Sequence, residues 1–259
     1  MRHDTIIDAH LHLDERCGSA IDAARELDSQ LASAGIKRAI VLHLLAQPWP
    51  VTEVAKAIAS SSRLVGFVNV HPYEPSAIDD LKRGVELGFI GVKLHPRLQR
   101  FSIEDSRTID LILTAGQLGL PVLIDCFPDG DWLMDGFDPV NFARLAKQCP
   151  DTRIILAHFG GHHCIDFMML GKRIPNVYFD CSYSLLYYRG SPIVQALTYC
   201  FKSMRFNRVF YGSDYPDRSI GDSLRGSLRE FAHAGIEGHD LKKLLSQNII
   251  DFFGWADIA

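Results

Sequence analysis

Ile6-Ile7-Asp8-Ala9-His10-Leu11-His12-Leu13-Asp14-Glu15, near the start of the chain, decides the fold. The apolar run reads as a first β-strand. His12-Leu13-Asp14-Glu15, at its end, is nothing like the Gly-rich phosphate loop that a doubly wound open sheet carries after its first strand. Side chains along a strand repeat direction every second residue, so His10 and His12 point to the same side. Two neutral imidazoles on one face of a strand can share a metal ion such as zinc. Two hydrogen-bonded core histidines would leave the same pattern.

Working outward, residues 5–13, 38–45, 64–71, 91–95, 122–127, 153–158, 177–182 and 208–214 read as eight strands. Most are continuous Val/Ile/Leu/Phe runs, as expected of a parallel sheet covered on both faces. Helically spaced apolar residues separate them: Ile21, Ala24, Leu27 and Leu31; Ile78, Leu81 and Val85; Val140, Phe142, Leu145 and Ala146. Gly35, Gly88, Gly119 and Gly235 fall where helices stop. Residues 221–234 and 240–253 supply the last unit's helix and one more. Strict β–α alternation without a composition break predicts one distorted (β/α)8 TIM barrel with an extra C-terminal helix, spanning residues 1–259 as a single domain.

Composition bounds the function. The 259 residues are 47% hydrophobic and 22% charged, with a net charge of −4 and no basic run, which disfavours a nucleic-acid or anionic-membrane partner. No stretch reaches the length of a membrane span. Met1-Arg2-His3-Asp4 lacks the apolar region of a secretion signal. Six widely spaced cysteines without a Cys-x-x-Cys read as reduced, mostly buried thiols of a cytoplasmic protein.

Barrel active sites sit at the C-terminal ends of the strands. Of eleven histidines, six close predicted strands: His10, His12, His43, His71, His95 and His158. Asp125, Asp180 and Asp214 hold similar positions on the fifth, seventh and eighth strands. Charged groups buried without partners are costly, so such a ring points to a metal or substrate that satisfies it. A solvated rim is the alternative.

Four segments in order carry a resemblance: Ile7-Asp8-Ala9-His10-Leu11-His12, Gly91-Val92-Lys93-Leu94-His95-Pro96, Ala157-His158-Phe159-Gly160-Gly161 and Gly212-Ser213-Asp214-Tyr215-Pro216. With the tail at residues 244–254, they resemble the amidohydrolase superfamily. The similar branch is the amidohydrolase-related group that includes aminocarboxymuconate semialdehyde decarboxylase. The resemblance implies one divalent metal, zinc or alternatively manganese, at the barrel mouth. By this likeness His10 and His12 are metal ligands. Asp214 is a ligand that also takes a proton from water, and His158 is a second-metal ligand, as in some members, or a catalytic acid/base, as in the decarboxylase branch. The family's fifth-strand histidine is missing, and Asp125 stands in its place. Asp125 is then an oxygen ligand, an acceptor orienting a ligating histidine, or the mark of a weakened metal site such as the metal-independent pyrone dicarboxylate lactonases permit.

Lys93 reads as a cation balancing the carboxylates. Arg97 and Arg100 suit carboxylate recognition. With Lys93, His95 and Tyr183 they make up the expected substrate-binding groups, while His43 and His71 read as satisfied rim histidines. The loop at residues 127–138 has the composition of a lid, and Tyr187, Tyr188 and Arg189 supply further walls. A metal-dependent hydrolase of a small carboxylate-bearing ester, lactone or amide is the leading expectation. A nonoxidative decarboxylase of a small unsaturated or aromatic acid is the alternative, and an inactive binding protein on the same barrel is a third. The family likeness also suggests a homodimer.

Overall fold

The computed structural model describes residues 5–255, so Met1–Asp4, which bear on the secretion signal, lie outside the described residues. Eight strands form one parallel sheet in sequential order: β1 Ile7–Leu11, β2 Arg38–Leu42, β3 Leu64–Asn69, β4 Gly91–Leu94, β5 Val122–Ile124, β6 Ile154–Leu156, β7 Val177–Asp180 and β8 Val209–Phe210. Closure between β8 and β1 rests on bonds from Ala9 N to Tyr211 O, Asp214 N to His10 O and His12 N to Tyr215 O, each 2.8 Å. The fold is the expected (β/α)8 barrel, and this seam is its distortion. Among the described residues, no helix is long and apolar enough to cross a membrane.

The apolar runs fill the barrel as their composition requires. Ile7, Ala9, Ile40, Leu42, Phe67, Leu123, Ile155 and Phe210 form an inner core, and Ile249, Ile250 and Phe252 of the last helix pack against it. A second, larger cluster lies between strands and helices, where Leu27 and Leu31 of helix Ala20–Ala34 are fully buried. That helix starts at a Ser19 cap and stops at Gly35, whose φ of 73° lies in the left-handed region open to glycine. Residues 240–253, expected as one helix, contain a π-helical turn at Lys243–Gln247. Within it the Leu244 carbonyl accepts from Tyr211 N at 2.9 Å, which ties the last helix to the end of β8.

Strands end earlier than their apolar runs, and the reason lies at the mouth. Register shifts in β1 between Asp8 and Leu11. Below the shift Ile7 and Ala9 face the inner core, and above it His10 and His12 face the mouth. Such irregularities re-aim side chains next to sites. Carboxylates then replace ladder carbonyls as acceptors. Asp8 Oδ1 accepts from His10 N at 3.1 Å and Ser213 N at 3.0 Å, and Asp180 Oδ1 accepts from His158 N at 3.1 Å and Ser182 N at 3.0 Å. His158 and Asp214 leave their strands at φ 60° and 56°. Those values cost energy for non-glycine residues and persist where surroundings enforce them.

Candidate active site

The strand ends gather His10, His12, Lys93, His95, Asp125, His158 and Asp214 around a cavity of about 430 Å³. His10 Nδ1 lies 2.9 Å from Asp180 Oδ2, and His12 Nδ1 lies 2.7 Å from the Leu42 carbonyl. Both partners only accept, so each ring carries its proton on Nδ1 and presents a lone pair at Nε2. Those two nitrogens lie 3.2 Å and 3.7 Å from the same atom, Asp214 Oδ1. His10 Nε2 is buried and has no hydrogen-bond partner. Burial pushes both imidazoles below their ordinary pKa, His12 well below, so they are neutral. Each ring thus turns a lone pair toward the Asp214 carboxylate with no proton between them, an arrangement that repels itself unless a cation sits there.

His158 is built the opposite way. Its Nε2 lies 3.0 Å from Asp125 Oδ2. Its Nδ1 faces Ser182 Oγ at 2.9 Å and Ser182 O at 3.2 Å. The Ser182 hydroxyl donates to Asp180 in a short bond, so its oxygen accepts from His158. Acceptors at both nitrogens call for two protons. Burial opposes that charge, but the bond to Asp125 and the fields of Asp214 and Asp180 outweigh it and lift the pKa to about 9. Among the described residues the one trio of donor atoms lying within 4.8 Å of one another is His10, His158 and Asp214, with His12 outside it.

Asp125 is buried, beside the cationic His158 and, at 3.6 Å, His95 Nε2. Burial works against its charge, but the imidazoles of His95 and His158 and the Lys93 ammonium hold it well below the usual carboxylate range. Lys93 is almost fully buried; burial pushes its pKa down, and Asp125, Asp214 and Asp180 oppose that shift. Asp180 was placed by sequence at a strand end without a role. It fixes the His10 tautomer, and burial, which disfavours its charge, is outweighed by His10 and His158.

The rim differs in part from expectation. Arg97 lines the cavity and pairs with Asp129 at 2.7 Å, while its Nε is buried without a hydrogen bond. Arg100 does not reach the cavity. The short helix Pro96–Gln99 ends on it at φ 53°, which turns it to line a neighbouring space of about 810 Å³ between the fourth and fifth loops. His95 caps that helix through Nδ1, and burial lowers its pKa to about 3. Tyr183 stacks on Tyr187 with ring centroids 5.0 Å apart, and both meet Phe127 edge-on, giving an aromatic wall. His71 bonds the Gln99 carbonyl and His43 accepts from Asn69 N, as satisfied rim histidines do. The expected lid carries a short helix, Gly130–Met134. Phe127 and Asp129 of the expected lid loop also line the cavity, as does Asp217, which had no sequence signal as a site residue.

The amidohydrolase family profile matches residues 7–255. No curated protein sequence matches the chain. Among solved structures, a probable 2-pyrone-4,6-dicarboxylic acid hydrolase from Acinetobacter baumannii, with citric acid bound, has a TM-score of 0.71 at 18% identity, covering 96% of this chain and 99% of its own. The 5-carboxyvanillate decarboxylase of Sphingomonas paucimobilis has a TM-score of 0.69 at 14% identity, covering 97% and 99%. That of Novosphingobium aromaticivorans, complexed with manganese and a nitrobenzoic acid, has a TM-score of 0.62 at 16% identity, covering 96% and 95%. At these identities the likeness is one of fold.

Proposed function

We infer the reaction from one premise, that the chain belongs to the amidohydrolase family of enzymes. It is a metal-dependent hydrolase acting on a small carboxylate-bearing ester, lactone or amide. The observation that carries this reading is the convergence of His10 Nε2, His12 Nε2 and Asp214 Oδ1 with no proton to share. A neutral imidazole pair with one carboxylate fits zinc or manganese, and a carboxylate or carbonyl behind each ring is the usual means of fixing such ligands. His10, His12 and Asp214 would hold the ion. A divalent ion there supplies a Lewis acid that lowers the pKa of water toward neutrality.

The remaining steps belong to the chain. Asp214 accepts the proton of the attacking water. His158, cationic between Asp125 and Ser182, donates a proton to the leaving group. Asp125 keeps that imidazolium charged and does not serve as a ligand. Lys93 and Arg97 give positive charge near the rim for the substrate's carboxylate, with His95 as a neutral wall. Tyr183 and Tyr187 cover a flat face of the substrate.

The test is metal content together with turnover. Protein purified without chelators should hold about one equivalent of zinc or manganese, and His12→Ala should lose both the metal and hydrolysis of carboxylate-bearing lactones and esters. Full hydrolysis by metal-stripped protein would refute the reading. One observation favours decarboxylation instead: a protonated His158 beside an aromatic wall is a donor suited to a carbon left by departing carbon dioxide. Carbon dioxide release from aromatic acids, without hydrolysis of any lactone, would select it.

A further inference from the structure

Behind the aromatic wall lies a second cavity of about 520 Å³, lined by Arg189, Arg218, Arg225 and Arg229 with Asp222 as its one carboxylate. Three of the four guanidinium groups are anchored: Arg189 Nε to Glu230 at 2.9 Å, Arg218 to Asp217 at 2.6 Å and Arg225 to Asp222 at 2.7 Å. Each anchor uses one nitrogen, and a guanidinium has five N–H donors, so most donors of each group stay available. Among the described residues Arg229 has no ion-pair partner. Arg225 and Arg229 sit one turn apart on helix Ile220–His233, a like-charge spacing that destabilises a helix. Arg225 also lies over the first turn of that helix, with a guanidinium nitrogen 3.0 Å from where a Cβ on Gly221 would be. Helix N-termini carry partial positive charge. Arg225 therefore sits where the backbone already repels a cation.

We propose that this cavity binds a compact dianionic oxyanion, a phosphoryl group or a small dicarboxylate, held by Arg189, Arg218, Arg225 and Arg229. Planar guanidinium forks lining one cavity match such oxygens. The site is separate from the metal donors yet shares both walls with them. Helix Ser184–Tyr187 turns Tyr187 to the catalytic cavity and Leu186 to this one. Consecutive residues of the eighth loop do the same, Asp217 lining the first and Arg218 the second. A bound anion competes with Asp217 for Arg218 and so changes the charge at the catalytic rim.

The test is calorimetric titration of the purified protein at low ionic strength with inorganic phosphate and, in a second arm, succinate. One of the two should bind at a single site per chain, weakening as sodium chloride is raised. The tighter arm tells a phosphoryl group from a dicarboxylate. Arg229→Gln and, separately, Arg225→Gln should each weaken binding by about tenfold or more, the loss expected for a charged donor. Arg97→Gln, in the other cavity, should leave it within about twofold. No binding of either anion at about ten millimolar, or binding lost in Arg97→Gln and kept in Arg229→Gln, would overturn the proposal.

Discussion

Asp180→Asn exchanges one oxygen for an NH2 group, and the hydrogen bonds decide which oxygen. Asp180 Oδ1 accepts from His158 N, Ser182 N and the Ser182 hydroxyl, while Oδ2 accepts from His10 Nδ1 alone. Turning the single oxygen of asparagine away from three donors would forfeit about 1 kcal/mol for each. It therefore stays with them, and the new N–H group faces His10 Nδ1. His10 must then accept at Nδ1 and carry its proton on Nε2, which removes the lone pair aimed at Asp214. Loss of such an orienting partner lowers metal affinity by about 10–100-fold, and a reversed tautomer belongs at the upper end, about 2.7 kcal/mol. Zinc and manganese affinities are read by competition against a chelator of known strength, with far-UV circular dichroism and thermal melting to confirm folding. An Asp180→Asn protein that folds normally and binds metal within about threefold of wild type would refute the tautomer reasoning.

Burial and packing set two further outcomes. Burial lowers the His43 pKa to about 4, against about 6.5 in an unfolded chain. Its contribution is therefore complete above pH 6.5 and is lost as pH falls from there toward 4, by up to about 3 kcal/mol. In His43→Asn, whose side-chain oxygen can still accept from Asn69 N, urea unfolding at pH 7 and pH 4.5 should differ by about 2–3 kcal/mol less than in wild type; an equal difference would exclude His43 as the source. Gly91→Ala places a Cβ 2.5 Å from the ring of Phe67, which is fully buried. It should cost about 2–3 kcal/mol, read as a Tm lower by roughly 5–10 °C, and an unchanged Tm would mean that β4 and Phe67 repack freely.

The eight strands were legible because a parallel barrel buries both faces, which writes itself as continuous apolar runs, and the intervening helices because Gly35, Gly88, Gly119 and Gly235 mark their ends. Their ends were read too long. Nothing local says that Asp8 and Asp180 take over the acceptor role of ladder carbonyls, since those bonds join residues up to 205 positions apart. The two first-strand histidines were legible through strand parity, although a register shift between Asp8 and Leu11 is what turns both to the mouth. Asp125 was visible as a departure from the family pattern. Its partnership with His158, 33 residues on, depends on a positive φ that a sequence pattern does not reveal. Arg100 was misplaced for the same kind of reason, because it ends a short helix in the left-handed conformation and swings to the neighbouring cavity.

The catalytic roles proposed for the mouth depend on one cation held among His10, His12 and Asp214. Crystals grown with manganese, with diffraction recorded at its absorption edge, locate that ion directly. A single anomalous peak is expected about 2.0–2.3 Å from His10 Nε2, His12 Nε2 and an Asp214 oxygen. A peak seated instead between Asp125, His95 and His158, or the absence of any peak in that cavity, would contradict the assignment.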